Sequence, residues 1–242
     1  EKSAYFSKIA AMITFVCFVL NLTMLGQIFN ITPSPNAFLV WTAFALVLAY
    51  ACNARLLVFF AIVCLSAFIA MKVGTFSGMY WISFGERPEN FFLASVVIFL
   101  IPTLHEYKKS NDKNLIHNQG DFAVIYRVMA MIITFLPMLI LANYGEVSYL
   151  TWSNDFIEGM YQLLGFALAV FVIWLGIKYQ WQHVTNTGNV FFILFLYTKF
   201  YDWWWDWMPK YVFFLIIGLS ALLALMVFKR LRNYPIVEGI TS

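Results

Sequence analysis

The chain has 242 residues, 62% of them hydrophobic and 11% charged, with a formal net charge of +3. Soluble domains hold about 45–50% apolar and about 25% charged residues, so this composition excludes an ordinary water-facing globule. So small and scattered a charge also excludes a phosphate-reading nucleic-acid surface.

A membrane-spanning helix needs about 20 mainly apolar residues. The stretches that qualify run 9–29, 37–54, 56–76, 90–104, 121–142, 156–179, 189–203 and 209–228. They are apolar all round, as a lipid-facing helix should be. The sequence therefore predicts an all-α integral membrane protein, a single bundle of about eight spans whose principal partner is the lipid bilayer. Pro33 and Pro35 separate the first two spans, and Arg87 and Pro88 open the fourth. That fourth stretch is short and contains Pro102. Asn186 to Asn189, with Gly188 among them, reads as the break before the seventh. Pro209 suits the first turn of the eighth, where its missing N–H would go unpaired anyway.

Cations test this arrangement. With eight spans the N-terminal side receives Lys2, Lys8, Arg55, Lys108, Lys109, Lys113, Lys178, Lys229, Arg230 and Arg232, ten in all. The other side receives Arg87, Lys199 and Lys210, three in all. Removing the fourth span weakens that split to five against eight. Cytoplasmic loops are rich in Lys and Arg, so both termini are expected in the cytoplasm. The opposite side holds Glu86, Glu89, Glu146, Asp155, Glu158, Asp202 and Asp206, with Trp81, Trp152, Trp203, Trp204, Trp205 and Trp207 as an aromatic belt.

Few residues invite chemistry. Lys199, Asp202 and Asp206 are spaced i, i+3, i+7 and share one helix face at the outer end of the seventh span. Lys72, near the same side, could pair with either aspartate. The cluster reads as an interfacial ion pair of Lys199 with Asp202, and alternatively as a cation or proton site. Arg127 lies about two turns inside the fifth span, and its long stem is expected to carry the charge to the interface. Glu106, Asp121 or a lipid phosphate are its alternative partners.

His105, His117 and His183 fall outside the apolar cores, which argues against a membrane haem. HExxH, GxSxG and phosphate-loop patterns are absent from the sequence. Cys17, Cys52 and Cys64 stand in apolar stretches without CxxC spacing. The expectation is therefore no catalytic residue, no metal site and no cofactor. Asn21 and Asn30 open matches to the glycosylation pattern that read as chance.

Two regions go beyond generic membrane sequence. Leu25, Gly26, Gln27, Ile28, Phe29 and Asn30 precede Phe38, Leu39, Val40 and Trp41, then Leu48, Ala49, Tyr50 and Arg55. Lys199, Phe200, Tyr201 and Asp202 precede Asp206, Phe213, Phe214, Gly218 and the basic run from Lys229 to Arg232. Together these resemble a bacterial family of multi-pass membrane proteins of unknown function. Its pattern is G-Q-I-[YF]-[HN], F-L-x-W, F-D-x-x-x-D, then an F-F-x-x-x-G helix and a basic tail. Tyr201 stands here for the usual Phe, and Asn30 where His is common. The resemblance covers roughly 22–70 and 192–232, under half of the chain. It implies a bacterial inner membrane and draws attention to Gln27, Asp202 and Asp206, but carries no activity. Family members often have a soluble segment and further spans before the first motif, so an N-terminal segment ahead of Glu1 is expected.

Tiny loops and an extensive aromatic surface favour a non-catalytic membrane component that binds other membrane proteins. The alternative is a small transporter or channel using Lys199, Asp202, Asp206, Lys72 and Gln27. A weaker third is a lipid-modifying enzyme, with a cavity at headgroup depth lined by Glu146, Asp155 or Glu158.

Overall fold

The computed structural model describes residues 2–31, 34–73, 87–111, 122–204 and 209–232. These form eight α-helices and no strand: α1 (Lys2–Ile28), α2 (Asn36–Cys52), α3 (Arg55–Val73), α4 (Asn90–Asn111), α5 (Phe122–Leu141), α6 (Asn154–Lys178), α7 (Gln182–Trp204) and α8 (Lys210–Arg232). A single 3-10 turn, Gly145–Val147, precedes α6. Three helices are long and apolar enough to cross a membrane: α1 from Tyr5, α5 and α6. At about 1.5 Å per residue, a bilayer core of about 30 Å needs about 20 residues. The apolar parts of α2, α3 and α4 are shorter, at 17, 17 and 15 residues.

Helix ends follow local chemistry. Asn30, Asn53 and Gln180 adopt left-handed backbone just past α1, α2 and α6, with φ of 51°, 50° and 58°. The Ile31, Ala54 and Trp181 amides then reach back to the Gly26, Ala49 and Gly176 carbonyls at 2.8, 3.0 and 2.8 Å. These closing bonds satisfy carbonyls that the helix itself leaves open. Asn tolerates this conformation through its short polar side chain, whereas Gln180 carries it at a cost.

The chain divides into two compact units, Glu1–Phe192 and Ile193–Ser242. In the first, α5 is central and packs on α3, α4 and α6. Small residues let the helices approach, as is common where lipid supplies no hydrophobic drive. Ala45 and Ala49 of α2 are fully buried, as are Leu57 and Val58 of α3. Thr42 Oγ1 reaches the Ala61 carbonyl on α3 at 3.3 Å. Hydroxyl bonds tie other pairs: Thr134 to Ser95 at 2.7 Å joins α5 to α4, and Tyr50 to Tyr126 at 3.1 Å joins α2 to α5.

The junction of α6 and α7 differs from the sequence expectation. Asn186 to Asn189 does not break the chain but lies inside α7, which starts at Gln182. The turn is made earlier, by Tyr179 to Trp181. Gly188 is a packing residue: a Cβ there would sit 2.8 Å from Ile173 Cγ1 on α6. Pro102 and Pro137 likewise stand within α4 and α5. Proline has no N–H, so each removes one bond from its helix ladder, a loss tolerated where neighbouring helices pack around it. In the second unit, Tyr197 bonds Ser220 at 3.0 Å, and Phe213 is buried beneath Phe200 at 5.5 Å between ring centres.

Candidate functional site

The densest polar cluster among the described residues lies where α4 begins and α5 ends. Glu89, one residue ahead of α4, turns its Oε1 toward the segment after α5. It accepts from Ser148 Oγ at 2.5 Å, from the Tyr149 amide at 2.9 Å and from the Tyr161 hydroxyl on α6 at 3.4 Å. Its Oε2 is buried. Asn90 adds a bond from Nδ2 to the Tyr149 hydroxyl at 2.8 Å. Arg87 donates to the Ser148 carbonyl, and its guanidinium stands 4.6 Å above the Tyr149 ring. Pro88 is fully buried between these groups.

A second carboxylate acts similarly. Glu158, in the second turn of α6, accepts from the Gly145 amide at 3.0 Å. Gly145 is confined: a Cβ would lie 2.7 Å from the Asn154 carbonyl. Carboxylates at α4 and α6 thus pin the 142–153 connection from both sides. Bonds to a charged acceptor are worth about 1.5–3 kcal/mol each when sheltered. The cluster holds a loop in place and presents no nucleophile beside a base.

Beside it, α4, α5 and α6 enclose a cleft of about 350 Å³ whose lining surface is wholly apolar. Phe92, Val96 and Leu100 line it from α4, Thr134 and Met138 from α5, and Phe171 and Leu175 from α6. Glu146, Asp155 and Glu158 do not line it.

The residues singled out from sequence fall elsewhere. Lys199 pairs with Asp202 at 3.3 Å, with side chains 22% and 38% exposed. Asp206 lies outside the described residues. Lys72 is in the last turn of α3, its side chain outside what is described, and Gln27 is exposed near the end of α1. Lys72 and Gln27 belong to the first unit, Lys199 and Asp202 to the second.

Arg127 departs from expectation. It is 2% exposed, its guanidinium 3.6 Å above the Trp181 ring in the α6–α7 turn. The charge stays inside the protein against an aromatic face, an attraction that strengthens on desolvation. His183 lies in the first turn of α7, while His117 lies outside the described residues. No group of His, Cys, Asp or Glu that could hold a metal occurs among the described residues. Cys17, Cys52 and Cys64 are free thiols.

The Glu89 and Arg127 clusters escape sequence reading because their members lie far apart along the chain. The only local hint was a carboxylate and an arginine flanking Pro88 at a helix start. Comparison with family models, with curated proteins and with solved structures finds no match for this chain.

Proposed function

We propose that this chain is a non-catalytic component of a membrane assembly, binding other membrane proteins through its apolar helix faces. In this reading it crosses a bacterial inner membrane eight times, with both termini in the cytoplasm. The ten-to-three division of cations supports the orientation, and the family resemblance supports the compartment.

One observation carries the reading. Helix α1 is the longest, at 27 residues, yet only 11% of its apolar stretch is buried, against 56% for α5. Ala11 and Phe15 alone among its described side chains are buried, while Ile13, Val16, Leu20 and Met24 are more than half exposed. A helix that gives so little to its own fold has a face left for a neighbour in the bilayer. The polar groups described above are engaged in holding loops, which fits a structural role.

The test is purification of the tagged native protein in mild detergent, with mass spectrometry of what accompanies it. A stoichiometric membrane partner that is lost on Val16→Trp or Leu20→Trp is the expected result. A clean monomer or homo-oligomer would refute the reading. It would direct attention to flux assays on Asp202→Asn and Asp206→Asn, the residues of the transporter alternative.

A further inference from the structure

We propose that the cleft between α4, α5 and α6 seats one acyl chain of a bilayer glycerophospholipid, whose phosphate is received by Arg87. The proposal rests on the membrane-spanning part of the reading above and adds a bound lipid with a defined seat. The location supports it first. Helices α5 and α6 are both long and apolar enough to span a membrane, so a cleft between them faces hydrocarbon.

The shape agrees. The cleft opens sideways, because Val96, Leu100 and Phe171 on its rim are 55%, 45% and 52% exposed. Ser95 and Phe135, at 1% and 0%, close its floor. The hydroxyls present are already bonded: Thr134 to Ser95 and to the Ala130 carbonyl, and Ser95 to the Phe92 carbonyl. A dry apolar cavity of about 150 Å³ takes up benzene, so about 350 Å³ suits roughly a dozen carbons. From Phe92 to Leu100 the lining extends about 12 Å along α4, the shape of a chain and not of a compact ring.

The charge is placed to match. Arg87 stands three residues ahead of α4 and five ahead of Phe92, at the same end of the helix as the start of the cleft lining. Its guanidinium is fixed by the Ser148 carbonyl and the Tyr149 ring, while the residue remains exposed. A planar guanidinium fork suits a phosphate diester. The neighbouring Glu89 directs Oε1 at Ser148, Tyr149 and Tyr161.

The whole protein would be reconstituted in phosphatidylethanolamine and phosphatidylglycerol vesicles holding a trace of phosphatidylethanolamine with a photoreactive acyl chain. Crosslinks would then be mapped by peptide mass spectrometry. The expected result is labelling concentrated on the cleft faces of α4, α5 and α6. Val96→Trp should reduce it about tenfold while labelling of α1 stays unchanged. Leu100→Trp, at another rim position, should act alike and covers the case in which Val96→Trp fails to fold. Arg87→Gln should reduce labelling severalfold, but not labelling by a photoreactive diacylglycerol, which lacks phosphate. Labelling spread evenly over the apolar helices and unaltered by both tryptophan variants would overturn the lipid seat. An Arg87→Gln variant that labels normally would overturn the phosphate assignment. A protein that never enters the vesicles would overturn the membrane reading itself.

Discussion

One substitution made at two places on the same helix should have opposite effects. Gly176 lies in the last turn of α6, beneath the start of α7. A Cβ there would stand 2.8 Å from the Thr185 backbone nitrogen and 3.2 Å from its Cα. Main-chain atoms cannot swing aside, so α7 must shift. Overpacking of this kind costs about 1–3 kcal/mol. The gain in helix propensity on replacing glycine offsets at most about 1 kcal/mol. Gly176→Ala should therefore destabilise by roughly 1–2 kcal/mol. Gly159, in the second turn of α6, has nothing within 4 Å of the same position. There the propensity gain is unopposed, and Gly159→Ala should stabilise by about 0.5–1 kcal/mol. Unfolding in mixed micelles, followed by tryptophan fluorescence as SDS is raised, gives both values. Equal effects, or a more stable Gly176→Ala, would refute the close approach of α6 and α7.

Three further outcomes follow from the geometry. Glu89→Ala strands the Ser148 and Tyr161 hydroxyls and should cost about 3 kcal/mol; hydrogen exchange should show faster opening of residues 144–150 than of α5. Lys199→Ala breaks an exposed i, i+3 pair and should change stability by less than about 0.5 kcal/mol in the same SDS titration; a loss of several times that would mean that Lys199 has a deeper role. Gln180→Gly relieves a left-handed backbone at the end of α6 and should raise the unfolding midpoint, worth about 1 kcal/mol; a lowered midpoint would mean that the Gln180 side chain is itself needed.

Much of the helical layout was legible because hydrophobic runs and breakers are local signals. Helix α3 begins at Arg55, one residue ahead of the stretch expected from 56, and α4 begins at Asn90, where the sequence places the start of its fourth stretch. Asn186 to Asn189 misled because glycine within a helix serves close packing as readily as it serves a turn. What stayed hidden is the partnering. Glu89 and Ser148 stand 59 residues apart, and Arg127 meets a tryptophan that only the packing of α5 on α6 and its turn brings near. Spacing along one helix pointed to Lys199 and Asp202, whereas the denser polar cluster is assembled from α4, α6 and the loop between α5 and α6.

The link between α2 and α3 constrains how such a chain is made. Asn53 and Ala54 alone join the two helices, and the three Cα steps from Cys52 to Arg55 reach at most about 11 Å. Neighbouring helix axes lie about 8–10 Å apart, so the pair has little slack. Neither helix can move away from the other without unwinding its own end. The two must therefore dock as one hairpin, with Arg55 opening its second arm. A substitution that displaces α3 would carry α2 with it, a folding defect that sequence changes within α2 alone could not repair.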